Sequence, residues 1–177
     1  MHRFCLLAGL LAAVTTGVCA QRQMENLDRG VVAVRASSTE VFVSWRLLGY
    51  EPENLAFNLY RSTGGAAAEK LNAAPLTGGT NFIDTTADAG AENAYSVRPV
   101  VDGYELPGSA GYTLPAGAPV RPYLELPLEP TGWDTYVHLV WVGDLNGDGA
   151  YDFVVSRNPG VADQPNLLDA YLADGTF

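Results

Sequence analysis

Asp144-Leu145-Asn146-Gly147-Asp148-Gly149-Ala150-Tyr151-Asp152 carries oxygen-bearing side chains at its first, third, fifth and ninth positions and glycines at its fourth and sixth. Alternate residues of a tightly turned loop can aim at one centre, and carboxylate and amide oxygens are the donors a hard cation such as Ca²⁺ prefers. Glycine permits the positive φ that such a path needs, and Ala150 would lend its backbone carbonyl. An EF-hand would also require a Glu at the twelfth position and a helix on each side. The twelfth residue here is Val155, and the flanks 138–142 and 151–155 are β-branched and aromatic, which reads as strands. The stretch is therefore read as a calcium-binding turn between two strands. Its ligands are Asp144, Asn146, Asp148, Ala150 and Asp152. The same residues could make an ordinary Asn/Asp/Gly turn with no ion, but oxygens crowded on alternate positions would then repel one another. A filled oxygen cage leaves no open position, so the ion's role is structural rather than catalytic.

Around this turn the chain reads as strand after strand. Residues 135–142 alternate Tyr136, His138, Val140 and Val142 with Val137, Leu139 and Trp141, so both faces are largely apolar and are expected to be covered. Residues 123–126 read as a strand, 156–166 as a polar loop and 167–172 as a further strand. Ala173-Asp174-Gly175-Thr176 reads as a tight hairpin turn. The returning strand would begin at Thr176 or Phe177, the last residue. A module this small is close to one propeller blade plus an entry strand, and one blade cannot bury its faces alone. The expectation is a fragment of a longer protein.

Upstream, Pro115, Pro119 and Pro122 with Gly117 mark a stiff, extended linker. Before it, short strand-like runs at 31–36, 40–47, 55–61, 80–84, 94–101 and 112–114, with a possible edge strand at 70–72, are divided by Gly, Pro, Asn and Asp. No long segment has a helical period. Short strands so closely spaced read as a β-sandwich. Trp45 and Tyr95 are expected in its core, Tyr95 in a tyrosine-corner contact. Arg61 and Arg98 are expected on a solvated strand face. The domains are thus residues 1–20 as a signal peptide, 21–118 as the sandwich and 119–177 as the start of a propeller.

The signal reading rests on Met1-His2-Arg3 followed by an apolar run and a small-residue end at Val18-Cys19-Ala20. The run is too short to anchor the chain in a membrane, and Val18 is bulkier than the residue usual before a lipid-modified Cys. Both cysteines, Cys5 and Cys19, lie inside it. The exported chain would have no disulfide, and stability must come from a core or from ions. The 47% hydrophobic content allows a core. With residues 1–20 removed, Arg3 goes too, leaving 9 basic against 20 acidic residues, with Lys70 the only lysine. That balance argues against nucleic acid and anionic membrane surfaces as partners. It suits secretion, to the periplasm, the cell surface or the medium, and cation binding.

Val43-Ser44-Trp45, Phe57-Asn58-Leu59-Tyr60-Arg61 and Tyr95-Ser96-Val97-Arg98 resemble a fibronectin type III module. Together with residues 24–30, 43–49, 81–85, 97–100, 142–152 and 169–175, they resemble the amino-terminal portion of family 11 polysaccharide lyases, the rhamnogalacturonan lyases. The resemblance spans residues 24–177. It implies an all-β chain: a fibronectin type III-like β-sandwich followed by the first, incomplete part of an eight-bladed β-propeller with several calcium sites. It implies secreted enzymes that cut the rhamnose–galacturonate bond of the pectic polysaccharide rhamnogalacturonan I by β-elimination. It places Asp144, Asn146, Asp148, Ala150 and Asp152 on one of the family's calcium loops. Asn146 stands where an Asp is more usual, and His138-Leu139-Val140 where an Asn-Asp-small stretch is common.

β-Elimination on a uronate needs its carboxylate neutralised, a base for the adjacent carbon acid and an acid for the leaving oxygen. His138 is the only histidine outside residues 1–20, and a strand histidine is expected to be packed or hydrogen-bonded. Lys70 is remote in sequence from the turn. Arg157 and Tyr151 adjoin it and could touch sugar. No base–acid pair is evident, so the catalytic residues stay unassigned and the fragment is expected to be inactive. The competing reading is a non-catalytic secreted module that holds polysaccharide or a cell surface through calcium.

Overall fold

The computed structural model describes residues 26–177, so the signal-peptide reading of residues 1–20 lies outside the described residues. The described chain is all-β: β1 (Val32–Arg35), β2 (Val41–Ser44), β3 (Ala56–Thr63), β4 (Glu69–Lys70), β5 (Asn81–Asp84), β6 (Asn93–Val101), β7 (Tyr104–Glu105), β8 (Tyr112–Leu114), β9 (Thr135–Gly143), β10 (Asp152–Pro159) and β11 (Leu167–Tyr171).

The first eight strands form two antiparallel sheets. One runs β1-β2-β5, the other β4-β3-β6-β7, with β8 also paired to β6. Alternation decides which side chains point between them. Val41 and Val43 are buried while Phe42 between them is exposed, and Tyr95 and Val97 are buried with Ser96 half-buried between them. The register aligns Ala33 with Val43 and Val43 with Phe82 on one sheet, and Leu59 with Val97 on the other. These inward rows make a single core with Trp45, Phe57 and Leu114. Trp45 meets Phe57 edge-on, centroids 5.4 Å apart. This is the expected fibronectin type III-like sandwich, with Trp45 and Tyr95 in its core.

Arg61 departs from expectation. It is buried, and it ion-pairs with Asp84 inside the sandwich and with Glu69 at its edge. The cause is Asp84, an inward position of β5. Its Oδ1 accepts from the Thr86 amide and hydroxyl, each at 2.8 Å, and its Oδ2 accepts from the Tyr95 hydroxyl at 3.0 Å. The Tyr95 contact is thus to a side-chain carboxylate, where a tyrosine corner would bond to backbone. Arg98 is exposed as expected, pairing with Glu105 and lying over the Tyr60 ring.

The linker is extended but not free. The Arg35 guanidinium donates to the Ala118 carbonyl at 2.9 Å, and the Arg121 amide donates to the Arg35 carbonyl at 2.9 Å. Residues 123–126 are not a strand, because Pro122 and Pro127 deny the flanks their ladder donors. The last three strands form an antiparallel meander in the order β11-β10-β9, the arrangement with which a propeller blade begins. β10 runs on into the start of the expected polar loop, as far as Pro159, with a register shift between Ser156 and Arg157. β9 is not covered on both faces among the described residues: Tyr136, Val137, Leu139, Val140, Trp141 and Val142 are each between 48% and 57% exposed.

Burial alone would raise the Asp84 carboxyl, but the Thr86 amide and hydroxyl, Arg61 and Tyr95 outweigh it and hold it below the ordinary range. A lowered pKa contributes stability above the unfolded value, near 3.9 for Asp, and loses it as pH falls through the folded value. Denaturant titrations should therefore show the sandwich weakening below about pH 4. Asp84→Ala, which removes the buried partner of Arg61 and leaves it only the exposed Glu69, should cost about 3–5 kcal/mol at neutral pH.

Candidate metal centre

The turn between β9 and β10 is the Asp144–Asp152 stretch, and its hydrogen bonds show how the chain is wrapped. The Asp144 carboxylate accepts from the amides of Gly147 at 2.7 Å, Asp148 at 3.1 Å and Gly149 at 2.9 Å. Asn146 Oδ1 accepts from the Asp148 amide at 2.9 Å, and Asp148 Oδ1 from the Ala150 amide at 2.7 Å. The Asn146 side-chain amide donates to Asp148 Oδ2 at 2.9 Å. The Ala150 amide bond, followed by the one from Asn146, holds the Asp148 carboxyl below its usual range. Asp152 is fully buried at the start of β10. Its Oδ2 accepts from the Leu145 amide and its Oδ1 from the Ala173 amide, both at 2.9 Å. One carboxylate thus joins the turn to the hairpin that succeeds β11.

These bonds occupy oxygens that an ion would use, and among the described residues no three Asp, Glu, His or Cys side chains converge as a metal-holding cluster. The donor chemistry nevertheless fits a hard cation. An ionised carboxylate has about four acceptor positions, so an oxygen that receives an amide can also face an ion. Three carboxylates, one amide oxygen and the Ala150 carbonyl lie on a single turn, already curled by their own amide bonds. Asp144, Asn146, Asp148, Ala150 and Asp152 are the residues that would hold calcium there.

The turn also docks on the sandwich. Gly149 is buried, and its carbonyl accepts from the Asp28 amide at 2.9 Å and from Arg46 Nη1 at 3.2 Å. Arg46 Nη1 also reaches the Asp28 carbonyl at 3.1 Å, and its guanidinium carbon lies 3.8 Å from the centroid of the Tyr151 ring. Both backbones need glycine here. A Cβ on Gly149 would come within 3.0 Å of the Asp28 amide, and one on Gly30 would fall 2.5 Å from the Arg46 guanidinium. Behind Arg46, Arg29 and Glu51 form a buried ion pair. Arg29 Nη1 donates to the Arg46 carbonyl at 3.3 Å, and Glu51 accepts from the Leu48 amide at 2.7 Å. Residues 24–30, 43–49 and 142–152 carry the family resemblance. They are remote in sequence, and the described parts of all three meet at this joint. Sequence reasoning took their likeness without their contact. A glycine beside each polar segment was the available signal.

Of the other candidate side chains, His138 and Arg157 lie on the paired strands β9 and β10, and Lys70 lies on β4 of the sandwich. His138 is exposed on β9 rather than packed, and Lys70 is exposed on β4. Arg157 is buried, bound through Nε and Nη2 to Asp169 and through Nη1 to the Glu129 carbonyl at 2.8 Å. Tyr151 is under Arg46. No base–acid pair is assembled among the described residues.

A family model described as the rhamnogalacturonan I lyases beta-sheet domain matches residues 22–113, just over half of the chain. The chain belongs to the rhamnogalacturonan I lyase family. A rhamnogalacturonan endolyase of Bacillus subtilis, YesW, is 37% identical over 94% of this chain and 28% of its own length. A rhamnogalacturonan exolyase of the same organism, YesX, is 35% identical over 89% of this chain and 26% of its own length. The chain therefore spans little more than a quarter of these lyases. An Fn3-like protein from Clostridium thermocellum, 28% identical, aligns over 48% of this chain and 84% of its own with a TM-score of 0.40. The fold assignment rests on the sheet topology.

In this lyase chain, Asp152→Ala removes the fully buried carboxylate that accepts from the Leu145 and Ala173 amides. Hydrogen bonds to a charged group contribute about 1.5–3 kcal/mol. The variant should lower the denaturation midpoint of the meander, while the Asp84 network keeps the sandwich folded.

Proposed function

We propose that the chain is the amino-terminal part of a secreted rhamnogalacturonan lyase that cleaves the rhamnose–galacturonate bond of pectin by β-elimination. This part supplies a calcium-stabilised platform, and catalysis belongs to other parts of the enzyme. The ordered similarity to an endolyase and an exolyase across most of this chain carries the reading. It is supported by the apolar, half-exposed faces of β9, which suit burial against further propeller blades.

The reaction removes the proton next to the uronate carboxylate, turns that electron pair into a C=C bond and expels the glycosidic oxygen as a hydroxyl. Each step needs a group placed against the sugar. Lys70 lies on β4 of the sandwich, and Arg157, across from the His138 bulge, is already bound to Asp169 and the Glu129 carbonyl. Calcium at the Asp144–Asp152 turn would offset two of the three carboxylate charges and fix the loop's path. That fixes structure, and the substrate's own carboxylate needs a separate partner. The acidic balance of the chain makes the same point, since a polyanionic substrate requires a local basic site.

Incubated with rhamnogalacturonan I and calcium, residues 1–177 should generate no unsaturated uronate by ultraviolet absorbance. Calcium-dependent turnover by this stretch would overturn the division of labour. Calorimetric titration should show one calcium-binding event in the range of extracellular modules, about 10⁻⁴–10⁻³ M. Asp148→Ala should weaken it at least tenfold.

A further inference from the structure

We infer that Arg46 is a positioning residue for the calcium turn, so that ion binding and docking of the sandwich on the meander reinforce each other. The inference rests on the calcium reading of residues 144–152 and goes beyond it. It assigns part of the ion's affinity to a side chain that belongs to the other module and supplies no ligand.

Gly149 and Ala150 are consecutive. The Gly149 carbonyl faces the sandwich, where it accepts from the Asp28 amide and from Arg46. The Ala150 carbonyl is the backbone ligand proposed for the ion. Rotating the peptide unit that carries one of these carbonyls disturbs the φ and ψ that aim the other, so anchoring Gly149 on one side orders Ala150 on the other. Arg46 is well held for this role. Its guanidinium is packed between the Gly30 backbone and the Tyr151 ring, and Nη1 bridges the Gly149 and Asp28 carbonyls. Tyr151 comes directly after Ala150, so the stacked ring fixes the turn on the far side of the same ligand. The Arg29–Glu51 pair, buried behind Arg46, keeps its backbone in register. Coupling between two sites is reciprocal. If docking preorders the turn for the ion, the ion must strengthen docking by the same factor.

Arg46 also carries a positive charge, which would oppose a cation nearby. The two effects predict opposite signs, and a substitution separates them. Arg46→Met keeps the length of the side chain and removes both charge and hydrogen bonds. Arg46→Lys keeps the charge but not the planar stack on Tyr151. The inference expects both to weaken calcium binding by calorimetry, about fivefold or more. In the unsubstituted chain, hydrogen exchange at the Asp28 amide should slow by a similar factor when calcium replaces a chelator. That measurement needs no variant and reads the joint directly.

Tighter calcium binding in Arg46→Met would overturn the positioning role in favour of simple repulsion. A calcium heat with no change in Asp28 exchange would overturn the coupling while leaving the calcium turn in place. Absence of any heat in the unsubstituted chain would remove the calcium reading and this inference with it.

Discussion

The carbonyl of the buried Gly149 ties the meander to the sandwich. Two modules with separate sheets meet there through backbone and one guanidinium among the described residues. The Asp28 amide and Arg46 converge on that oxygen, and Tyr151 completes the grip from the side. Such a joint has little area but strict geometry. A planar guanidinium can bridge two carbonyls and stack on a ring at once, and a lysine cannot do so. Glycine at 149 lets the Asp28 backbone approach, and glycine at 30 leaves room for the Arg46 guanidinium. Arg35 adds a second tie by gripping the linker at Ala118, so the sandwich is anchored to the carboxy-terminal part of the chain at two separated places.

The same device recurs at every seam. The sandwich interior holds Arg61 with Asp84, the joint holds Arg29 with Glu51, and the meander holds Arg157 with Asp169. Both cysteines of the chain precede residue 20, so no disulfide is available within these modules, and buried Arg–carboxylate pairs link their strands instead. Such pairs contribute little net stability, because each ion must leave water, but breaking one is costly. Their value is in register. Arg61 can meet Asp84 only if β3 and β5 lie in one alignment, and Arg157 can meet Asp169 only if β10 and β11 do. Glu51 shows the balance at work: burial would raise its carboxyl, yet Arg29 and the Leu48 amide hold it below the ordinary range.

The strands were legible from alternation and turn residues, because period-two burial is written directly into residues such as Val41, Val43, Tyr95 and Val97. The turn between β9 and β10 was legible for the same kind of reason, since its oxygens are local. The missing pieces depended on distant partners. Arg61 reads as a solvated strand residue until Asp84, itself an anomalous inward carboxylate, is known to face it. From its place beside an acidic loop Arg157 could touch sugar, but β10 directs it to Asp169 and the Glu129 carbonyl. The short β7 was within reach, because Asp102-Gly103 is a hairpin turn signal between Val101 and Tyr104. His138 was misplaced because its apolar neighbours suggested a covered strand.

That strand sharpens what the meander requires. β10 is paired on both sides and buries Val155 and Asp152, so it behaves as the centre of a small sheet. β9 has the composition of a central strand too, yet it lies at an edge, with large apolar side chains half exposed on both faces. Edge strands of soluble proteins are ordinarily blunted by charge, proline or a bulge, and a three-stranded sheet needs a packed apolar face to be stable by itself. β9 carries no proline, Asp, Glu, Lys or Arg along its length, and its irregularity is the extra residue His138, left unpaired opposite Ser156 and Arg157. The docked turn at one end of β9 stabilises that end only. The physical demand is for apolar cover along the rest of the strand, on both faces. A wheel of blades meets that demand, because each neighbouring blade buries one face, whereas a free-standing adhesive module would leave it unmet.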